Sequence, residues 1–122
     1  MKMVDSIKTK RRDEPVVVYI TPEWKINLIM EEDAMGMLTH FIDKMTVESM
    51  GKTGYILCAF RRNTVRIEGD TYLFPEFLIM KKMDNKVEAL SSEETDSALN
   101  EFASRLVDLR LGEIKLPAYG AD

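Results

Sequence analysis

The spacing of hydrophobic and polar residues changes several times along the chain, and each change predicts a different element. Residues 15–20 begin with proline and continue with β-branched and aromatic residues, which predicts a first strand. Residues 21–24 (Thr-Pro-Glu-Trp) then fit either a helix start with Thr21 as N-cap or a tight turn into a second strand over 25–30. We favour the turn, because the acidic residues 31–33 make a better helix start, where they interact favourably with the helix dipole.

Apolar residues between 32 and 50 recur at helical spacing, which predicts a first helix over that range, ended by Gly51. Its apolar stripe consists of Met35, Leu38, Phe41, Ile42 and Met45. Met37 and Met50 fall off this stripe and are candidate binding residues on a second helix face, because methionine adapts well to binding surfaces. On that hypothesis, a charged residue at either position weakens association without unfolding the chain. The alternative is that both side chains simply fill the core.

The segment 54–61 is apolar on both faces of a strand, which predicts a central strand of a sheet. One face would carry Tyr55, Leu57 and Ala59, and the other Ile56, Cys58 and Phe60. Turn signals then separate three further strands over 64–68, 71–83 and 86–90. In the first of these, Val65 and Ile67 are expected to face inward. Pro75 cannot donate to a ladder, so the 71–83 strand should be bulged or lie at an edge there.

The last helix has the clearest start signal, because Ser91-Ser92-Glu93-Glu94 fits a capping box. Glu101 can pair with Arg105 one turn later, Gly112 is placed to end the helix, and 113–116 could add a short final strand. The predicted apolar stripe is Ala98, Leu99, Phe102, Leu106 and Leu109. Together these elements predict the α+β class, with an antiparallel β-meander of about four to six strands packed against two main helices.

Charge is unevenly distributed along the 122 residues, whose net charge is −4. Residues 1–12 carry five basic residues against one aspartate, a net +4, which leaves −8 for the rest. We therefore predict a flexible basic N-terminal arm over 1–13, a single α+β domain over 14–117 and a short C-terminal tail over 118–122. Without an apolar signal or a membrane-length apolar run, the expected location is the cytoplasm, with no membrane partner.

No constellation of residues supports catalysis, so we expect that the protein is not an enzyme and needs no cofactor or metal. His40 is the only histidine and Cys58 the only cysteine, which is too few for a zinc site of the usual kind. His40 with Asp43 could form an oriented base, but a surface histidine beside a helical acid is commoner. Glu31-Glu32-Asp33 is the densest acidic cluster, and its simpler role is to start a helix. The glycine motifs of nucleotide-binding loops are absent from the sequence.

These observations favour a small acidic, non-enzymatic interaction or regulatory protein, such as an inhibitor, an adaptor or an immunity-like protein. It would act by protein–protein binding, on itself as a homodimer or on another protein, by burying a sheet edge or the methionine-rich helix face.

The alternative is a protein that binds single-stranded nucleic acid, with Arg66, Lys81 and Lys82 in support. Its phosphate contacts would come from the basic arm and one hairpin, namely Lys8, Lys10, Arg11, Arg12, Arg61 and Arg62. Gly54, Tyr55 and Phe60 partly match an RNA-recognition pattern, but Tyr55 and Phe60 fall on opposite faces of a regular strand.

Overall fold

The computed structural model describes residues 14–121. The two α-helices are α1 (Glu31–Phe41) and α2 (Ser92–Ser104), and short 3-10 turns cover Ile42–Lys44 and Arg61–Asn63. The first five strands are β1 (Val16–Ile20), β2 (Ile26–Met30), β3 (Met45–Ser49), β4 (Tyr55–Phe60) and β5 (Thr64–Ile67). The other five are β6 (Asp70–Leu73), β7 (Phe77–Met83), β8 (Lys86–Glu88), β9 (Leu106–Leu111) and β10 (Ile114–Gly120). The predicted arm over 1–13 lies outside the described residues, which begin at residue 14.

The strands form two antiparallel sheets. In the larger sheet the strand order is β2-β1-β7-β4-β3, with β8 paired to the far end of β7. In the smaller sheet the order is β5-β6-β10-β9. The α+β class is therefore confirmed. The ten strands in residues 14–121 exceed the predicted number, and they belong to two sheets instead of one meander.

The core has two layers of side chains, one on each face of the larger sheet. On one face, Ala34 and Leu38 of α1 pack with Ile56, Cys58 and Phe60 of β4. The opposite face of the larger sheet packs against both α2 and the smaller sheet, whose contributions are Ala98, Phe102, Leu73 and Tyr119. Leu57 and Ala59 lie on this second face of β4, as the alternation predicted. The smaller sheet therefore buries one face against α2 and the larger sheet.

Several local signals produce the predicted elements. The Trp24 N–H donates to the Thr21 carbonyl at 2.8 Å, which closes the predicted turn, and β2 follows it. At the start of α2, the Ser91 hydroxyl accepts from the Glu94 N–H while the Glu94 carboxylate accepts from the Ser91 N–H. This capping box satisfies two backbone donors that the helix itself leaves without partners.

The first helix is shorter than predicted. It ends at Phe41, and Met45–Ser49 forms β3 instead of the last turns of a helix. The pairing of β3 with β4 explains why this segment is a strand. Val47 lies opposite Cys58 in the ladder, and β-branched residues such as valine pack well against a neighbouring strand. Met45 is buried as predicted, but it packs from a strand.

The prediction of one strand over 71–83 was also wrong. The chain leaves β6 at Leu73 and enters β7 at Phe77, so the residues around Pro75 connect the smaller sheet to the larger one. Proline cannot donate to a ladder, and the connection between sheets requires no donor there. Val65 does not face inward as predicted, since 37% of its surface is exposed. It pairs with Tyr72 on the face of the smaller sheet that points away from the core.

The last helix ends at Ser104, so the predicted stripe residues Leu106 and Leu109 belong to β9. Gly112 lies in the turn after β9, and the predicted short strand after it is longer, extending to Gly120. The predicted Glu101–Arg105 pair is confirmed at the C-terminal end of the helix, with 2.8 Å between carboxylate and guanidinium.

Candidate interaction surface

The β9–β10 hairpin extends beyond the rest of the smaller sheet. Leu111 and Ile114 face each other across a two-residue turn, and the ladder continues back to the Leu106–Tyr119 pair. The first turn residue, Gly112, has a φ of 66°, which a glycine adopts without steric cost at the first position of a type II′ turn. In β10, only Tyr119 and Gly120 pair with β6. Most of the hairpin is therefore a two-stranded ribbon.

One face of this ribbon is entirely apolar. The register places on it Val107, Leu109, Leu111, Ile114, Leu116 and Ala118, which we call the apolar face. Leu109 and Ala118 are buried, yet neither belongs to a core cluster. Four of the others remain exposed, at 42% for Val107, 44% for Leu111, 60% for Ile114 and 37% for Leu116. The apolar face thus combines two buried side chains with four exposed ones.

The opposite face of the ribbon is polar toward its tip. Arg110 lies directly across from Lys115, and Asp108 across from Pro117. Within residues 14–121 the ion pairs involve other residues, so Asp108, Arg110 and Lys115 are not neutralised by an opposite charge in direct contact. Like charges directly opposite each other destabilise a strand pair. The Arg110–Lys115 neighbourhood is therefore suited to an additional carboxylate.

The outer edge of β9 carries unpaired backbone groups. The Gly120 N–H donates to the Arg105 carbonyl at 2.9 Å, which shows that Arg105 points its backbone toward β10. Because backbone direction alternates along an antiparallel strand, Val107, Leu109 and Leu111 do the same. Leu106, Asp108 and Arg110 therefore point their N–H and C=O groups away from β10. In the described part of the chain, β9 is an edge strand with no neighbour on that side.

The base of the hairpin is anchored in the core by an aromatic cluster. The ring of Tyr119 stacks on Phe102 of α2, with centroids 5.6 Å apart and planes 15° apart. Phe102 also contacts Phe77 edge-on at 5.7 Å, and Trp24 lies 6.4 Å away. Burial raises the pKa of the Tyr119 hydroxyl to about 12. These contacts hold one end of the ribbon rigidly while its tip extends away from the core.

Comparison with protein-family models, with curated proteins and with solved structures found no match.

The structure separates the predicted methionine positions. Met37 lies half-buried on α1 against the core layer beneath that helix. Met50 follows β3, is fully buried in the other core layer and donates its N–H to the Tyr55 carbonyl at 3.0 Å. The two side chains thus lie on opposite faces of the larger sheet and form no common helix face. Because Met50 is fully buried, we expect a charge at that position to destabilise the fold, since an ion at that depth lacks the water that would solvate it.

The predicted basic residues are only partly placed. Lys8, Lys10, Arg11 and Arg12 lie outside the described residues. Arg61 and Arg62 are exposed in the 3-10 turn after β4, where Arg61 donates to the Asp43 carbonyl at 2.6 Å. The Arg62 guanidinium lies 4.8 Å from the centre of the Phe60 ring. Both arginines therefore already have intramolecular partners.

The structure also places Tyr55, Phe60 and Lys81, which entered the nucleic-acid hypothesis. Tyr55 packs against the core layer beneath α2 and Phe60 against the layer beneath α1, so they lie on opposite faces as expected and offer no common stacking platform. Lys81 is paired with Glu94 at 2.8 Å, which raises the pKa of the lysine.

The two residues considered for catalysis lie in different environments, one exposed and one buried. His40 is exposed and contacts the edge of Phe41, with centroids 4.5 Å apart. Cys58 is buried, and burial raises the pKa of its thiol to about 12, which disfavours the nucleophilic thiolate. Residues 14–121 contain no group of three or more His, Cys, Asp or Glu side chains that could hold a metal ion. Neither helix there has the length and apolar composition needed to cross a membrane.

The hairpin itself was missed at the sequence level. Residues 107–111 alternate Val-Asp-Leu-Arg-Leu and are followed by Gly-Glu, which together form a hairpin signal. That signal was overlooked because Leu106 and Leu109 also continue the helical spacing from Phe102.

Proposed function

We propose that this protein is a non-enzymatic interaction module that acts by binding another protein, with the apolar face of the β9–β10 hairpin as its contact surface. The observation that carries the proposal is the placement of four exposed apolar side chains on one face of a ribbon that extends beyond its sheet. Large apolar side chains gathered on an exposed face are typical of protein interaction sites.

The geometry of the ribbon supports this role. A two-stranded ribbon is marginally stable in water by itself, and one with an apolar face gains stability when that face is covered. Burying a fully exposed Val, Leu or Ile side chain stabilises by about 1.5–3 kcal/mol, and roughly half of each of these four is exposed. Covering all four therefore contributes about 4 kcal/mol toward a complex. This gain offsets part of the free-energy cost of association, which is of the order of 4–15 kcal/mol.

The partner that fits this surface presents an apolar strand or helix face. Arg110 and Lys115 point away from the apolar face at the tip of the ribbon, so they meet acidic groups only of a partner that also reaches around the tip. Charge at the rim of an interface affects the association rate and the choice of partner more than the final affinity. The proposed function accordingly assigns affinity to the apolar face and selectivity to these cations.

Photocrosslinking tests the proposal. A photoreactive amino acid replaces Ile114 in the full chain, and matched control chains carry it at Val47 or Met83, which are similarly exposed but lie in the larger sheet. We expect a discrete protein adduct from position 114 that resists nuclease and is absent from both controls. The adduct should weaken when Leu116→Glu is added, because a carboxylate on the apolar face must lose water on binding.

Two results would overturn the proposal. One is equal adduct formation from all three positions, which indicates non-specific contact. The other is a position-114 adduct that disappears with nuclease, which transfers support to nucleic-acid binding. An adduct of twice the chain mass identifies a second copy as the occupant and is separated from other adducts by its size.

A further inference from the structure

The outer edge of β9 can accept another strand. Leu106, Asp108 and Arg110 point their backbone donors and acceptors outward, and no strand within residues 14–121 pairs with them. An edge of this kind is a template for strand addition by another chain. Strand addition uses backbone groups and is chemically separate from contact with the apolar face.

We infer that the strand added at this edge is β9 of a second copy of the chain, antiparallel to the first, with Leu109 opposite Leu109 of the second copy. The inference rests on the proposed function only in taking the hairpin as the contact region. It specifies a homodimer and its register.

Backbone direction limits the possible registers. Only Leu106, Asp108 and Arg110 point outward, so in a regular antiparallel pair these residues must lie opposite one another. Four registers keep at least three residues of each β9 paired. One of them places Leu106 opposite Asp108 of the second copy and matches no opposite charges, which leaves three registers in which charged residues face each other. The first places Asp108 opposite Asp108 of the second copy, and the second places Arg110 opposite Arg110 of the second copy. Both oppose like charges.

The third register places Asp108 opposite Arg110 of the second copy, and the two-fold symmetry of the pair repeats that contact. The carboxylate of Asp108 in each copy then lies beside Arg110 of the facing copy, which has Lys115 on its other side. Asp108 supplies the negative charge that Arg110 and Lys115 lack. On the apolar face, Leu109 meets its own copy and Val107 meets Leu111 of the second copy. Cross-strand side chains at such positions lie about 4.5–5.5 Å apart and stabilise the pair.

The segment Val107–Leu111 is therefore self-complementary in both polarity and charge. One edge strand of the larger sheet, β3 (Met45–Ser49), offers a contrast, because Glu48 is its only charged residue. No register of β3 against itself pairs opposite charges. β3 therefore lacks the complementarity in charge that suits β9 to a second copy.

Charge reversal in the full chain tests the inference, with molar mass measured by light scattering or sedimentation over a concentration series. We expect a dimer for the wild type. Asp108→Arg or Arg110→Asp alone should weaken dimerisation at least about tenfold, because each opposes like charges twice. The double variant Asp108→Arg/Arg110→Asp restores opposite charges and should dimerise again. A mixture of the two single variants should form the heterodimer.

Controls separate this effect from unfolding. Asp108 and Arg110 are exposed, so circular dichroism melting curves of the single variants should stay close to wild type. Lys86→Asp reverses an exposed charge on β8 in the larger sheet and should leave the dimer intact.

Three results would overturn the inference. The first is a wild-type chain that stays monomeric throughout the series. The second is a dimer insensitive to both single reversals but lost with Ile114→Glu, which shows face-to-face contact through the apolar face and leaves the hairpin as the contact region. The third is a dimer that none of these variants changes. Because the Ile114 adducts are measured independently, failure of the dimer is distinguished from failure of the proposed partner.

Discussion

Replacing Phe102 with alanine should remove the main contact between α2, the larger sheet and the hairpin base. Phe102 is 4% exposed and has Phe77, Tyr119 and Trp24 within 6.4 Å of its ring centre. Deleting a buried phenylalanine costs about 3–5 kcal/mol, from lost burial and from the cavity that remains. Aromatic pairs add about 0.5–1.5 kcal/mol each beyond burial, which places this site at about 4–5 kcal/mol. A domain of this size has a total stability of about 5–15 kcal/mol.

Urea denaturation followed by Trp24 fluorescence measures the loss. With a slope of about 1.5–2 kcal/mol per molar urea, the midpoint should fall by about 2–3 M. Val47→Ala is the matched control, because Val47 is 52% exposed on an edge strand and its truncation should cost less than about 0.5 kcal/mol. A loss below about 1 kcal/mol at Phe102 would refute the reasoning, since Phe102 could not then be packed against the larger sheet and the hairpin base.

Three further outcomes test other parts of the structure. The hydrogen bond from Lys81, together with that from the Ser91 backbone, lowers the pKa of Glu94 in the folded protein. The stability that Glu94 contributes is therefore present above the usual glutamate pKa of about 4.5 and is lost as the pH falls through the pKa of Glu94 in the folded protein. Glu94→Gln should therefore flatten the acid side of a stability–pH curve, and an unchanged acid side would contradict the pairing. The Cys58 thiol should react with a thiol reagent only after denaturant is added, because it is buried and its pKa is about 12; rapid native reaction would show local opening. The Tyr119 hydroxyl is buried without a hydrogen-bond partner in the described part of the chain, so Tyr119→Phe should keep or raise the stability of the fold. A melting curve that shows a loss above about 1 kcal/mol would mean that the hydroxyl has a partner.

The elements predicted correctly are those determined by local interactions. The capping box at Ser91 and Glu94 involves neighbouring residues, and so does the turn at Thr21. The two-faced burial of β4 follows from alternation along one strand, which places Leu57 and Cys58 in different core layers. Each of these signals lies within a few residues, so no knowledge of distant strands is needed.

The division into two sheets depends on pairing between distant segments, which composition and spacing do not encode. Phe77 of β7 pairs with both Ile20 and Ala59, whereas Leu73 of β6 pairs with Thr64 and Tyr119. These partners become neighbours only after the chain has folded. The prediction of one strand through Pro75 was wrong because the segments before and after this proline, β6 and β7, belong to different sheets.

The hairpin shows how one pattern can satisfy two structures. Phe102, Leu106 and Leu109 have helical spacing, whereas Val107, Leu109 and Leu111 alternate as in a strand. The structure selects the strand at Arg105, whose carbonyl accepts the N–H of Gly120 instead of an N–H of a further helical turn. A continued helix would leave β10 without β9, which is the only strand within residues 14–121 that pairs with residues 114–118.

The strand solution has its own consequence, because it leaves both an apolar face and an unpaired edge on the same ribbon. Joining two copies at β9 would convert two four-stranded sheets into one of eight strands and remove two exposed edges. It would also place the two apolar faces side by side, with Leu109 of each copy at the junction. The enlarged face could then meet a partner that a single ribbon holds weakly, so dimerisation and partner binding should strengthen each other. Measuring adduct yield from position 114 in the Asp108→Arg chain tests that coupling: a lower yield supports it, and an unchanged yield shows that the edge and the face act independently.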